Sequence, residues 1–269
     1  MLSKFQTKYR SLPVQVKASF WFLICSFLQR GILILTTPIF TRLLSSEEFG
    51  QYSVFNSWMG IINIIVTFNM YFGMYQRGLI VFEKQRNIFS SSLQGLTVTL
   101  CAIWTVIYII FHNIWNQFFS LTTTQMLAMF VMIWTSAVYN FWSAEQRVDN
   151  KYRALVALTI TVAIFQSVFS IIFVTHSEDK VTAWILGIVL VNVFAYTGLF
   201  ITQMHHGGKF YSNQFWRHAL KFNIPLIPHY LSLTVLNSSD RIIIQHMVNS
   251  RSAGIYSLAY SLSQIMIIF

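Results

Sequence analysis

The sequence predicts an all-α, polytopic transmembrane helix bundle. Of the 269 residues, 55% are hydrophobic, 17% are aromatic and only 10% are charged, a balance far from that of a soluble domain. Long apolar runs recur along the chain, each near the roughly 20 residues that a helix needs to cross a hydrocarbon core. Because these runs lack the strict alternation of barrel strands, helices are the expected form.

We expect eight apolar runs to span the membrane, the last one only in part. The first run follows a basic segment, but it is far longer than the apolar core of a signal peptide, and no small-residue cleavage site follows it. It is therefore predicted to be an uncleaved span. The eight runs cover residues 18–41, 52–73, 93–111, 124–142, 155–175, 181–203, 223–244 and 254–269.

Lys and Arg are distributed unevenly between the two sides of these spans. The side opposite the N-terminus holds Arg42, Lys180, Arg241 and Arg251. The positive-inside rule therefore predicts a cytoplasmic N-terminus. This topology explains much of the net charge of +10, so nucleic acid is not an expected partner. The basic loops are expected to meet anionic headgroups, with substrate gating as the alternative. The basic residues on the N-terminal side are Lys4, Lys8, Arg10, Lys17, Arg77, Lys84, Arg86, Arg147, Lys151, Arg153, Lys209, Arg217 and Lys221.

A stretch near residue 50 recurs in outline close to the end of the chain. TRLLSSEEFGQYSVF at 41–55 and QHMVNSRSAGIYSLA at 245–259 align without gaps, with Gly50 on Gly254 and a shared Tyr-Ser pair after each glycine. In the predicted topology both copies lie in turns on the outer side. Six spans separate them, which indicates a parallel repeat of six-helix units, as in two-lobed transporters.

This repeat divides the chain into three predicted parts. Residues 1–204 form a complete six-helix N-lobe, and residues 205–222 form a cytoplasmic linker between the lobes. Residues 223–269 form the first two helices of a C-lobe, which are span seven and part of span eight. The repeat predicts that one lobe rocks against the other around a site near the bilayer midplane.

Four segments carry a family resemblance: TPIFTRLLSSEEFGQYSVF, KFNIPLIPHYLS with its paired prolines, DRIIIQHM, and AGIYSLAYSL. They resemble the polysaccharide biosynthesis, or oligosaccharide (O-antigen) flippase, family of the multidrug, oligosaccharidyl-lipid and polysaccharide exporter superfamily. The resemblance covers spans one, two, seven and eight. It implies two complete lobes, so this chain is expected to be a C-terminally truncated member.

The resemblance also implies a substrate and a location. The expected substrate is an oligosaccharide linked to polyprenyl pyrophosphate, moved from the inner to the outer leaflet of the bacterial cytoplasmic membrane for surface polysaccharide and lipopolysaccharide assembly. Membrane lipids, and possible other membrane proteins of polysaccharide assembly, are the implied partners.

Arg30 is the leading candidate for substrate binding. It lies 12 residues beyond Ala18, which at about 1.5 Å per residue is roughly 18 Å into span one, near the bilayer centre. An arginine there costs about 2.5–3.5 kcal/mol to insert, so it should face a water-filled cavity or a partner on a neighbouring helix. Its fork of donors suits a pyrophosphate. The resemblance also implies a cavity-facing arginine in the first span.

Polar residues in span two form a second set of candidates. Asn56 and Asn63 are seven residues apart and share a helix face. They could line a path for sugar or donate hydrogen bonds to a neighbouring helix.

Span seven carries two prolines and two polar candidates. Pro225 and Pro228 lie near its cytoplasmic end and predict a bend, either in a gating helix or in a stiff entry turn. His229 could carry a proton or donate a hydrogen bond to another helix. Asn237 is a candidate for the cavity wall.

Other polar and small residues are expected to have structural or gating roles. Asp240 and Arg241 are adjacent and do not share a helix face, so they are not expected to pair with each other. The family resemblance implies a similar pair that fixes the outer turn, and contact with substrate is the alternative. Gly50 and Gly254 mark the repeated turn.

Motifs of enzymes are missing from the sequence, so we expect no catalytic residue, metal site or cofactor. Cys25 and Cys101 fall inside apolar spans, which gives no support to a disulfide framework. Two alternatives remain. A membrane glycosyltransferase, polymerase or ligase of the same pathway would need a large charged outer loop, whereas 112–123 and 176–180 are short. A cation-coupled drug exporter of the same superfamily would differ only in its substrate.

Overall fold

The computed structural model describes residues 13–266, apart from the side chains of Leu33, Leu262, Gln264, Ile265 and Met266. Lys4, Lys8 and Arg10, which contribute to the predicted topology, lie outside these residues, as does the predicted end of span eight at 267–269. No strand occurs within 13–266, and the prediction of an all-α bundle is confirmed.

Long helices occupy the position of every predicted span, with shorter helices between some of them. Two short 3₁₀ turns, Glu83–Gln85 and Ile224–Leu226, precede the fourth and tenth helices. The α-helices are α1 (Val14–Leu43), α2 (Ser46–Thr67), α3 (Met74–Val81), α4 (Arg86–Ile110), α5 (His112–Phe119), α6 (Thr123–Val148), α7 (Tyr152–Thr175), α8 (Lys180–Gly207), α9 (Asn213–Asn223), α10 (Ile227–Met247) and α11 (Ser250–Met266).

Five segments in the described part are long and apolar enough to cross a membrane, and they correspond to α1, α4, α6, α7 and α8. The chain is a multi-pass membrane protein. The other three long helices, α2, α10 and α11, carry more polar residues, and they pack on one another. Ser57 of α2 and Ser257 of α11 are buried, whereas Asn237 and Asp240 of α10 are exposed.

The bundle has one end that is rich in Lys and Arg. We call it the basic end, and it comprises the start of α1, all of α3 and α9, and the turn between α6 and α7. The opposite end holds the turns between α1 and α2, between α7 and α8, and between α10 and α11.

The predicted bounds of span two are wrong by about two helical turns. The helix starts at Ser46 rather than 52, because Ser45 and Glu48 form a capping box: the Glu48 amide donates to Ser45 Oγ at 3.2 Å, and the Ser45 amide donates to the Glu48 carboxylate at 2.6 Å. It ends at Thr67 rather than 73, because Phe68 and Asn69 adopt positive φ angles of 49° and 53°.

Gly50 and Gly254 therefore lie inside helices and not in turns, contrary to the prediction. Each occupies the fifth position of its helix, α2 or α11, four residues after Ser46 or Ser250. The repeated stretch is thus a repeated pair of helix beginnings.

The two copies of the repeat contact each other directly. A β-carbon placed on Gly50 would lie 1.9 Å from the carbonyl oxygen of Ser250, and one on Gly254 would lie 2.0 Å from the carbonyl oxygen of Ser46. The crossing is thus nearly symmetric and brings the two backbones together. Such close approach is typical of helices that meet through small residues in membranes.

Serine hydroxyls keep the flanks of this crossing compact. Ser53 Oγ donates to the Phe49 carbonyl at 2.9 Å, and its counterpart Ser257 donates to the Ala253 carbonyl at 2.7 Å. Each hydroxyl is satisfied by its own helix, four residues back. The repeat therefore lets α2 and α11 approach without leaving these polar groups unpaired.

Aromatic side chains connect α1 and α2 to α8 at the opposite end. The Trp184 ring stacks between the rings of Tyr52 and Phe40, with centroid distances of 3.6 Å and 4.0 Å. Lys180 Nζ donates to the carbonyl of Leu43 at 2.8 Å, where α1 ends. These contacts fix the end of α1 through both packing and charge at the helix C-terminus.

The predicted linker, 205–222, is a folded part of the bundle. Its helix α9 buries Phe215 and Ala219, at 1% and 0% exposure, in an apolar cluster with α3 and α4. Trp216 Nε1 donates to the Ser92 carbonyl at 2.8 Å. The linker is thus an amphipathic helix docked on the basic end.

Candidate functional site

A pocket of about 490 Å³ between α1, α6 and α7 contains the leading candidate, Arg30. Phe22, Ser26 and Arg30 project from one face of α1 at intervals of four residues. The polar residues that line the pocket are Ser26, Gln29, Arg30, Tyr139, Arg147 and Thr159.

Two guanidinium groups share this pocket. Arg147 reaches it from the basic end of α6, with its guanidinium carbon 5.9 Å from the centre of the Phe22 ring. Ion pairs among residues 13–266 join Asp149 to Arg86 and Lys151, and neither Arg30 nor Arg147 takes part in one. The pocket therefore carries two positive charges that no carboxylate of the described chain neutralises, which makes it suitable for an anion.

Neutral hydrogen-bonding groups form the facing wall. The Tyr139 and Thr159 hydroxyls are 2.6 Å apart, which ties α6 to α7. The Tyr139 ring packs on Tyr196 of α8 at a centroid distance of 5.1 Å, so its position is fixed from a third helix. Hydroxyls of this kind both donate and accept, as the oxygens of phosphates and sugars require.

Sequence reasoning assigned Arg147 to the charge asymmetry of the loops and missed its place in the pocket. A local signal exists, because Tyr139 and Arg147 are eight residues apart and so lie on the same face of α6. An arginine on the same face as other polar residues of an apolar helix predicts that this face lines a cavity, in addition to marking the cytoplasmic side.

Two further candidates, Asn56 and Arg241, meet in a second pocket of about 290 Å³ at the opposite end. The Arg241 guanidinium lies 4.5 Å from the centre of the Tyr260 ring, and its Nη1 donates to the Asn237 carbonyl at 3.4 Å. Asp240 instead accepts a hydrogen bond from Tyr256 at 2.7 Å. Asp240 and Arg241 thus each hold α10 against α11.

Asn63 and Asn237 bond within the protein. Asn63 Nδ2 donates to the Tyr71 hydroxyl at 2.7 Å, while its Oδ1 is buried and has no hydrogen-bond partner in the described part of the chain. Asn237 Nδ2 donates to the Leu233 carbonyl of its own helix at 2.8 Å. The structure does not bring these two residues into the pocket of Arg30.

The prolines and His229 lie where α9 passes into α10. Pro225 lies in the 3₁₀ turn, and Pro228 occupies the first turn of α10, where its missing amide costs no hydrogen bond. His229 is exposed, with its ring 5.8 Å from that of Tyr230. The linings of the two pockets described above do not include His229.

A network around Glu145 is a feature that sequence reasoning missed. The Glu145 carboxylate accepts hydrogen bonds from Tyr75 at 2.8 Å and Gln203 at 2.8 Å, and from Ser90. Burial raises the pKa of Tyr75 well above its usual value, and the Glu145 charge adds to this, so the tyrosine remains a neutral donor. One carboxylate thus connects α3, α4, α6 and α8.

An ion-pair cluster lies beside this network at the basic end. Arg86 Nη1 is 2.6 Å from Asp149, and Lys151 Nζ is 2.9 Å from the same carboxylate. Burial alone would raise the pKa of Asp149, but the hydrogen bonds and charges of Lys151 and Arg86 outweigh it and lower the pKa. The cluster joins the start of α4 to the end of α6.

Comparison with known proteins decides the family. The model of a family described as "Polysaccharide biosynthesis protein" matches residues 16–269. The chain belongs to this family. The resemblance found in the sequence is therefore confirmed.

Two relatives of this polysaccharide biosynthesis protein come from Haemophilus influenzae. One is named "Uncharacterized membrane protein", is 23% identical, and aligns over 94% of this chain and 62% of its own length. The other is named "Lsg locus putative protein 1", is 22% identical, and aligns over 93% of this chain and 61% of its own length. The chain thus spans about three-fifths of the length of these relatives.

A solved structure described as "protein A" is similar in fold to this polysaccharide biosynthesis protein. The TM-score is 0.59 at 12% identity, over 96% of this chain and 62% of that chain. At such low identity the likeness shows the fold alone.

Proposed function

We propose that this chain is part of a flippase that moves an oligosaccharide linked to polyprenyl pyrophosphate from the inner to the outer leaflet of the bacterial cytoplasmic membrane. Its N-terminus and basic end face the cytoplasm, and no covalent bond changes during transport. The observation that carries the proposal is the pair Arg30 and Arg147 in one pocket without a carboxylate partner.

The charge of the pocket matches the pyrophosphate, the one part of such a substrate that is strongly anionic. Two guanidinium forks can bind its oxygens in bidentate fashion, and the hydroxyls of Tyr139 and Thr159 can bond further oxygens. Arg147 lies toward the basic end and Arg30 deeper along α1. The headgroup would therefore enter from the cytoplasmic side past Arg147 and reach Arg30.

The packing of α2 on α10 and α11 supports movement by alternating access. The Gly50–Gly254 crossing closes the contact between the predicted lobes at the opposite end of the bundle. A flippase open to the cytoplasm requires such a closed outer contact. The outward-open state would require α2 and α11 to separate.

A drug exporter of the same superfamily fits the pocket less well. A cationic cargo would meet two arginines with no carboxylate of the described residues to offset them. Transport of a cationic dye that survives unchanged in an Arg30 variant would favour that alternative.

The proposal is tested on the complete reading frame that contains residues 1–269, in proteoliposomes loaded with a polyprenyl-pyrophosphate oligosaccharide. The fraction of substrate that has crossed is measured with a membrane-impermeant glycosidase. At substrate concentrations below saturation, Arg30→Ala and Arg147→Ala should each lower the rate of crossing by roughly 10- to 150-fold, because losing a hydrogen bond to a charged group weakens binding of the headgroup by that factor. Arg30→Lys should retain part of the affinity, because it keeps the charge but loses the fork.

Arg153→Ala is the matched control. Arg153 is an exposed arginine near the basic end, on α7, and does not line the pocket. Equal loss in Arg153→Ala and Arg30→Ala would mean that overall charge, not this pocket, governs transport. Full transport by Arg30→Ala would overturn the assigned role of Arg30.

A further inference from the structure

The outer face of the linker helix forms a basic groove. While Phe215 and Ala219 face the bundle, Arg217 and Lys221 lie on the exposed side of α9, one helical turn apart. A groove of about 500 Å³ runs along this side and continues over the 3₁₀ turn at Ile224 and Pro225. Its lining residues are Tyr211, Asn213, Trp216, Arg217, Leu220, Lys221, Ile224 and Pro225.

The surroundings of the groove favour an anionic occupant. Residues 205–230 contain Lys209, Arg217 and Lys221 together with four histidines, and their sequence includes no Asp or Glu. The basic loop around the turn between α6 and α7 differs, because Arg86 and Lys151 there are bound to Asp149. Neither Arg217 nor Lys221 takes part in an ion pair among residues 13–266, so the positive charge along α9 is not compensated in this way.

Exposed apolar and aromatic side chains flank the charges. Tyr211 is 58% exposed, Ile224 is 49% exposed and Phe222 is 41% exposed. Trp216 lines the groove, while its indole N–H is held by the Ser92 carbonyl. Aromatic rings beside Lys and Arg are typical of the headgroup level of a bilayer, where an amphipathic helix lies in the plane of the interface.

We infer that this groove binds the headgroup of an anionic phospholipid at the cytoplasmic surface. The lipid phosphate lies between Arg217 and Lys221, and the glycerol and upper acyl chains lie against Tyr211 and Ile224. The site is separate from the pocket of Arg30 and shares with the proposed function only the orientation of the basic end. It spans α9 and the turn into α10, so a bound lipid holds the joint between the two predicted lobes.

The test uses the full chain, purified in a mild detergent and titrated with phosphatidylglycerol or phosphatidylcholine, with bound lipids counted by native mass spectrometry. Wild type should bind phosphatidylglycerol at least tenfold more tightly than phosphatidylcholine. With about 1 kcal/mol per basic side chain near a lipid surface, Arg217→Gln with Lys221→Gln should weaken phosphatidylglycerol binding roughly 30-fold. Both side chains are exposed, and each single variant should give an intermediate loss.

The matched control is Lys84→Gln with Arg153→Gln, which removes the same charge from exposed positions at the same end. It should leave the dissociation constant for phosphatidylglycerol within about threefold, since neither residue lines the groove. Equal weakening in both double variants would overturn the site in favour of diffuse attraction. Full displacement of the lipid by inorganic phosphate at equal concentration would overturn the lipid as ligand in favour of free phosphate.

Discussion

The crossing of α2 and α11 leads to a sharp prediction for Gly50→Ala. The new β-carbon would lie 1.9 Å from the Ser250 carbonyl oxygen and 2.9 Å from the Gly254 nitrogen. Carbon–oxygen contacts between helices run at about 3.3–3.6 Å, so the two helices must move apart by about 1.5 Å. Because the atoms that obstruct are backbone, no side-chain rotation can relieve the clash.

The expected cost follows from two opposing effects. Overpacking costs about 1–3 kcal/mol, and a rigid backbone obstacle places this case at about 3 kcal/mol. Alanine in place of glycine within a helix recovers about 1 kcal/mol. The net expectation is a free energy of unfolding lower by about 2 kcal/mol.

The measurement is unfolding of the purified protein in detergent, followed by a thiol-reactive dye. Cys25 lines the pocket of Arg30 and is replaced by Ser for this assay, so that the dye reports on Cys101, which is free and buried and reacts when the bundle opens. Gly198→Ala is the matched control, because a β-carbon on Gly198 of α8 meets nothing within 4 Å. The free energy of unfolding of Gly198→Ala should rise by up to about 1 kcal/mol, from helix propensity alone.

The double variant makes the test stricter. The double variant Gly50→Ala/Gly254→Ala should lower the free energy of unfolding by clearly less than the sum of the two single changes, because one separation of α2 from α11 relieves both clashes. The close crossing would be refuted if Gly50→Ala were as stable as Gly198→Ala.

Two more predictions concern the basic end. Phe215→Ala should release α9 and speed tryptic cleavage at Arg217 and Lys221, because the Phe215 side chain is 1% exposed and packs in the apolar cluster. Phe222→Ala, at a position that is 41% exposed, should change the rate of cleavage little. Equal cleavage rates for the two variants would contradict the docking of α9. Asp149 has a folded pKa below its unfolded value of about 3.9, so its contribution to stability is present above that pH and is lost as pH falls through the folded pKa. Wild type should therefore lose more thermal stability than Asp149→Asn when the pH is lowered from 6 to 3, which is about one pH unit below the unfolded pKa of Asp149. Equal losses in the two proteins would show that the ion pairs of Asp149 do not stabilise the fold.

Apolar runs predicted the positions of α1, α4, α6, α7 and α8 well, because length and hydropathy alone require these segments to be helical in lipid. The predicted start of α2 at residue 52 is too late because the first turns of this helix are polar. The sequence does contain the signal, since Ser45 and Glu48 have the spacing of a capping box. From the sequence we predict only a linker at 205–222 and no helix there, because α9 is short and half polar, although Phe215 and Ala219 have helical spacing.

Tertiary contacts could not be predicted in the same way. The donors to Glu145 come from Tyr75, Ser90 and Gln203, which are far apart in sequence, so no local spacing predicts the network. Arg30 was found because an arginine is rare in the middle of an apolar run. Arg147 was not, because its position near the end of a span is sufficiently explained by topology.

The docked linker helix has a consequence for the synthesis of the protein. The apolar cluster that holds Phe215 and Ala219 is otherwise built by residues of α3, α4 and α6 and the turns beside them. A chain emerging from the ribosome therefore cannot close this cluster until α9 has been translated, well after the helices that it covers. Helices α10 and α11 come next and pack mainly on α2, whose other neighbours are by then in place. The order of translation thus lets α10 and α11 assemble on a bundle in which α1 to α9 are already packed.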